Sequence, residues 1–216
     1  MIDIGEITPR KISVAEPNWD EFWENESELN WFGRRLHSAQ KRSMGRVFND
    51  IGLPRNSKIL DVGCGSGRSL HDLRSLGYTN SIGIDSSIKS IELCEKSGFM
   101  IDKDVFLMDA TNTTFDDSEF ELVLSQGLLE HFADFSPLVR EMSRISGRYV
   151  LLSQPNHFSL YRKMVDYLRG TPADEYTDYE VSDYEQAFER AGFNLAQSFS
   201  INMHEQFVLL FKKVDQ

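Results

Sequence analysis

Ile59-Leu-Asp-Val-Gly-Cys-Gly-Ser-Gly67 reads as a short apolar strand that runs into a carboxylate, Asp61, and then into glycines at alternate positions, Gly63, Gly65 and Gly67. Glycines directly after a strand let the backbone approach a ligand, because no side chain intervenes. A dinucleotide would lay its pyrophosphate over such a turn, on the N-terminus of the following helix. Asp61, two residues before the first glycine, would repel that phosphate. The dinucleotide pattern also wants glycine where this chain has Arg68. The turn therefore suits a nucleoside that carries a positive charge and no phosphate.

Two further carboxylates extend the pattern. Asp85 closes Ser81-Ile-Gly-Ile-Asp85, 24 residues after Asp61, and Asp109 closes Val105-Phe-Leu-Met-Asp109 after the same interval. An acid about 20 residues beyond the glycines accepts hydrogen bonds from ribose hydroxyls. Ligands of a parallel sheet sit at the carboxyl ends of its strands, so all three aspartates are expected to line one crevice. Together they would receive an ammonium, a ribose diol and an adenine amine. The ligand that carries those groups with a sulfonium is S-adenosylmethionine.

On these residues the chain resembles the class I S-adenosylmethionine-dependent methyltransferases, small-molecule type. Residues 59–67 look like the family's first motif, and Asp85 sits like the acid of its second strand. Asp109-Ala110 looks like the adenine-side motif, and 120–132, with Gln126, like the fourth strand and its loop. The resemblance implies a cofactor site of Asp61, Gly63, Gly65, Asp85, Ser86, Asp109, Ala110 and Gln126, with S-adenosyl-L-homocysteine as product. It also implies a Rossmann-like, doubly wound seven-stranded sheet. That sheet is mostly parallel, has helices on both faces, and has an antiparallel last strand inserted between strands five and six. His131 is the first candidate base and Tyr161 the second, although His131 matches a position that is often structural in the family. Arg34 or Arg35 is a candidate for the cofactor carboxylate.

Local readings compete at several positions. Asp61 could cap a turn or helix, and Asp85 could cap a helix starting at Ser86. Asp109 precedes Thr111-Asn-Thr-Thr114, where a turn role competes with adenine binding. Glu130 is as ambiguous as His131.

Strand and helix alternate: helix 34–51, strand 58–62, helix 67–75, strand 81–85, helix 86–97, strands 104–108 and 120–125, helix 135–145, strand 148–153. This order predicts a parallel sheet with helices on both faces. A single methyltransferase domain over 1–216 is expected, with a helical flap at 1–52 and an insert or lid at 155–181. All three tryptophans, Trp19, Trp23 and Trp31, fall in the flap, and Tyr161, Tyr167, Tyr176 and Tyr179 in the insert. Part of the insert, 158–169, could be helical. Ser182-Asp-Tyr-Glu185 looks like a capping box opening a helix that ends at Gly192, and strands 193–200 and 205–212 close the chain as a hairpin.

Bulk properties narrow the partners. Lys plus Arg number 23 against 34 Asp plus Glu, a formal charge of −11. Such a surface argues against a nucleic-acid backbone as main partner, despite the basic pairs Arg34-Arg35 and Lys41-Arg42. Two cysteines, Cys64 and Cys94, give no disulfide framework and suggest free thiols in the cytoplasm. No zinc-like cluster of Cys and His is seen, and no metal is expected. The first residues lack a basic region followed by an apolar core, so no signal peptide is expected, and no apolar run is long enough to span a bilayer. The leading reading is a methyltransferase acting on a small-molecule acceptor. A non-catalytic cofactor-binding or scaffold protein of the same fold, and a nicotinamide oxidoreductase, are the alternatives; Asp61 and Arg68 speak against the last.

Overall fold

The computed structural model describes residues 18–20, 31–156, 159, 179–201 and 204–214; the side chains of 31–36 fall outside it. Helix α1 spans Trp31–Asp50, followed by β1 Ile59–Val62, α2 Arg68–Ser75, β2 Ser81–Asp85, α3 Ile88–Lys96, β3 Val105–Leu107 and β4 Phe120–Gln126. A 3-10 turn at Leu129–His131 leads to α4 Ser136–Ile145, β5 Ser146–Pro155, α5 Val181–Arg190, β6 Phe193–Ile201 and β7 Gln206–Lys213. The strands form one sheet in the order β3-β2-β1-β4-β5-β7-β6. β1 pairs in parallel with β2 and β4, and β4 with β5. β7 runs antiparallel to both β5 and β6 and lies between them, as the family resemblance implied.

The middle strands are apolar because both of their faces are covered. All four residues of β1 are buried, the signature of an interior parallel strand. Alternate residues feed two separate cores. Leu60, Val62, Val123, Val150, Leu152, Leu209 and Phe211 meet α4 and α5 through Val139, Met142, Tyr184 and Phe188. Ile59, Leu122, Leu124, Leu151, Val208 and Leu210 meet α1, α2 and α3 through Met44, Phe48, Leu70, Leu73 and Ile91. Each such side chain contributes about 1.5–3 kcal/mol when fully buried. Helix α4 shows the 3.6-residue logic plainly: Leu138, Val139, Met142 and Ile145 are buried on one stripe. Its start is fixed by Asp134, whose Oδ1 accepts from the Ser136 amide at 2.9 Å.

Chain order reverses between β1 and β4, which places the topological switch point there, at the carboxyl ends of the two strands.

Two helix starts differ from the sequence reading. Asp85 does not cap a helix beginning at Ser86; the cap of α3 is Ser87, whose Oγ accepts from the Ser90 amide at 3.2 Å. Asp85 is committed elsewhere, as described below. Helix α5 begins with Glu180 at its cap and Asp183 closing the box, not Ser182 and Glu185. The Glu180 amide donates to Asp183 Oδ2 at 2.7 Å. The shift follows from Tyr179, whose buried hydroxyl lies 2.9 and 2.7 Å from the carbonyl oxygens of Phe132 and Ala133 and so fixes where the chain enters the helix. The helix expected within 158–169, Tyr161, Tyr167 and Tyr176, and most of the flap lie outside the described residues.

Candidate functional site

The glycine turn is built by bonds to the next βα unit. The amides of Gly63 and Cys64 both donate to the Ile84 carbonyl, at 2.9 and 3.0 Å, and Gly67 donates back to Cys64. The Gly65 amide donates to Asp85 Oδ2 at 2.9 Å. The Gly65 carbonyl accepts from Ser90 Oγ at 2.7 Å and from the Cys94 thiol at 3.0 Å. Helix α3 therefore holds the turn in shape. Gly65 has φ +54°, a left-handed value that side chains other than glycine rarely take. Gly67 has a different reason to be glycine: a Cβ there would stand 2.7 Å from the Phe99 ring. It packs the turn against the far helix rather than opening it to a ligand.

Asp61 lies at the bottom of this turn, fully buried, and neither of its oxygens receives a well-formed hydrogen bond, although the Ser69 hydroxyl stands near it. Burial, reinforced by the neighbouring Asp85 and opposed by the Ser69 hydroxyl, raises its pKa to about 8. Asp85 is also buried, and burial pushes its pKa up as well. Its two oxygens are used within the chain: Oδ2 takes Gly65, and Oδ1 takes the Ser87 amide at 2.9 Å. A carboxylate oxygen accepts more than one hydrogen bond, so Asp85 keeps capacity for a diol.

The other sequence-derived candidates sit along the same edge. Ser86 is exposed beside Asp85, and Gln126 ends β4 level with Ser153 of β5. Asp109 follows β3 and is exposed; its Oδ1 accepts from both the amide and the hydroxyl of Thr111 at 2.8 Å. The turn role read as a competitor is thus real there. Ala110 beside it is half-buried against the α4–α5 core. His131 ends the 3-10 turn after β4, with Nε2 3.9 Å from Glu130 Oε1. Tyr161 and the side chains of Arg34 and Arg35 lie outside the described residues.

Sequence reading did not foresee what Trp19 and Asp20 of the flap touch. Asp20 accepts from the Ser87 hydroxyl at 2.6 Å and from the Lys89 amide at 3.2 Å, at the start of α3. Those bonds hold its carboxyl below the usual range. Trp19 meets the His131 ring edge to face, centroids 5.0 Å apart. The pair spans the crevice from β2 to β4. Lys41, half of a basic pair, stands 3.3 Å from Asp72, which also meets His37 Nε2 at 2.7 Å. Among the described residues no cluster of His, Cys, Asp and Glu could hold a metal, and no helix is long and apolar enough to cross a membrane.

The chain is a doubly wound α/β protein whose switch point carries a buried acid without a well-formed hydrogen bond beside a glycine turn. The comparisons carry the class further. A family model described as a methyltransferase domain matches residues 60–148. Demethylmenaquinone methyltransferase of Staphylococcus aureus is 30% identical over 174 residues, covering 68% of this chain and 72% of that protein. Ubiquinone biosynthesis O-methyltransferase of Bordetella parapertussis is 24% identical over 161 residues. That alignment takes in 72% of this chain but only 63% of the relative, so the chain spans less than two thirds of its length. The fold matches the crystal structure of magnesium protoporphyrin IX methyltransferase from Synechocystis with bound SAH, with a TM-score of 0.67, 16% identity, and coverage of 91% and 93% of the two chains. The chain belongs to the class I S-adenosylmethionine-dependent methyltransferases, and S-adenosylmethionine is its cofactor.

Proposed function

We propose that this protein transfers a methyl group to a neutral oxygen on a small ring-bearing acceptor. The observation that carries the reading is Asp61, a fully buried carboxyl at the switch point whose oxygens receive no well-formed hydrogen bond from the chain. Such a group is costly to bury and is retained where a ligand completes it. The orphaned oxygens fit the methionyl ammonium of S-adenosylmethionine, and the Gly63–Gly65 turn gives it backbone to lie against. Asp85 would accept from the ribose, Asp109 and Ala110 would flank the adenine with Ser86 at the rim, and Gln126 would meet the cofactor from beyond β4.

When bound, S-adenosylmethionine supplies an activated methyl on a sulfonium, whose sulfur leaves as a neutral thioether. The chain's own work is then mainly positioning. Holding a nucleophile about 3 Å from an electrophilic carbon and in line with the leaving group removes much of the barrier. A base is required only where the acceptor holds its proton tightly. His131 is the candidate for that proton, with Glu130 beside it and Trp19 against its ring. Tyr161 is a second candidate from the insert, which leaves the sheet at Pro155 on the same edge.

The names of two relatives, one in ubiquinone and one in menaquinone chemistry, support a ring-bearing acceptor, and one of them names oxygen as the methylated atom. The acidic balance of the chain disfavours nucleic acid. Two buried free thiols fit a reducing, cytoplasmic setting. Calorimetric titration with S-adenosylmethionine, S-adenosylhomocysteine and NAD tests the reading. Micromolar binding of both adenosyl ligands with none for NAD is expected. Failure of both adenosyl ligands to bind would refute it.

A further inference from the structure

At the carboxyl ends of the middle strands, most buried polar side chains find partners within the chain. Ser125 donates its hydroxyl to the Val62 carbonyl at 2.9 Å. Ser153 and Gln40 both donate to Gln206 Oε1 at 2.9 Å. Asn156 Nδ2 donates to the His204 carbonyl at 2.9 Å. Two residues stand apart. Among the described residues, only Asp61 and Gln154 have two buried side-chain polar atoms that both lack a partner. The cofactor accounts for Asp61. It does not account for Gln154, which is 0% exposed.

Register separates the two. Asp61 pairs with Leu124, and Gln126 with Ser153, so these four residues share one face of the sheet. Gln154 is next along β5 and by alternation takes the other face, with Val150 and Leu152. That face carries Leu129 of the 3-10 turn, which joins Leu152 in one core, and the same turn bears Glu130 and His131. Gln154 therefore lies at the carboxyl edge near the candidate base, but off the face that Asp61 and Gln126 share.

We propose that Gln154 binds the acceptor, its carboxamide holding a neutral oxygen of the ring compound that receives the methyl. The proposal rests on the methyl-transfer reading above. A carboxamide offers N–H donors and a carbonyl acceptor and carries no charge. It can neither neutralise a cation nor take a proton, so it orients the acceptor rather than activating it. A hydroxyl beside a second hydroxyl or a carbonyl matches it, since such a group gives and receives one hydrogen bond each. An amide buried without partners destabilises the free protein, as expected of a group kept for a ligand.

The test compares wild type with Gln154→Met, which keeps an unbranched side chain of similar size and removes both polar atoms. Three quantities are read: the melting temperature, the calorimetric Kd for S-adenosylhomocysteine, and the KM for two probes, protocatechuate and menadiol, with labelled S-adenosylmethionine. The expected result is a melting temperature at or above that of wild type, a Kd within about twofold, and an acceptor KM raised at least about tenfold, the size of effect that follows when a hydrogen bond to a substrate is lost. A lower melting temperature would mean that the amide has an internal partner, and would overturn the proposal. So would an unchanged KM. Wild type that binds S-adenosylhomocysteine but turns over neither probe overturns the acceptor reading, and this proposal with it. Wild type that does not bind S-adenosylhomocysteine fails earlier, at the cofactor.

Discussion

The two halves of the sheet treat their polar groups differently. In the β1–β3 half the glycine turn, Asp85, Ser87, Ser90 and Cys94 are tied together by short bonds within the chain, and Asp61 alone is left open. In the β4–β5 half the strands are pinned by β7, but the groups proposed for the acceptor side come from segments far apart in sequence: Trp19, His131 and Gln154. The first half is a preformed cradle made of local sequence. The second is assembled from segments distant along the chain, and loops at that edge are where substrate choice is expected to reside. A fixed cofactor site beside a variable acceptor site lets one fold serve many acceptors.

The largest effect that would break this contrast is at Asp61. Asp61→Asn should weaken S-adenosylmethionine binding by about a hundredfold or more, because the buried negative partner of a cation is lost. The same change should stabilise the free protein as pH rises. The folded Asp61 has a pKa of about 8 against an ordinary 3.8, so between those values the folded state binds a proton that the unfolded state has released. Stability from this group is therefore greatest below about pH 4 and is lost as pH rises to about 8. Thermal melts of the free wild type should fall across that window relative to Asp61→Asn. Parallel melting curves for the two proteins would contradict the assignment.

A smaller effect separates packing from binding within the cradle. Gly67→Ala would drive a methyl into the Phe99 ring at a backbone φ of +80°, and should cost about 1–3 kcal/mol of stability in urea unfolding. Cofactor affinity, measured on the folded fraction, should change less than in Asp61→Asn. A variant of full stability that has lost its cofactor would return Gly67 to the ligand.

The cradle was legible in the sequence because its determinants are neighbours along the chain. Asp61, the glycines and Asp85 stand in a spacing that strand and helix lengths impose, and the apolar runs of β1, β2 and β4 mark interior strands. Helix caps were read less well. Asp85 and Ser182 are both good capping residues, but a carboxylate already taken by Gly65 and Ser87, and a chain pinned by Tyr179, moved each start by two residues. Gln154 was not legible at all. It follows Leu151-Leu-Ser as one more strand residue, and only the folded arrangement reveals that its amide has no partner. The contact of Trp19 with His131 was hidden for the same reason, since nothing local links them.

The most direct test of the central claim is a titration of wild type with S-adenosylhomocysteine at pH 7, repeated in buffers of different ionisation enthalpy. A buried Asp61 that is protonated when alone and ionised against the ligand's ammonium must release close to one proton on binding. Binding with no proton release, and with the same affinity in Asp61→Asn, would contradict it.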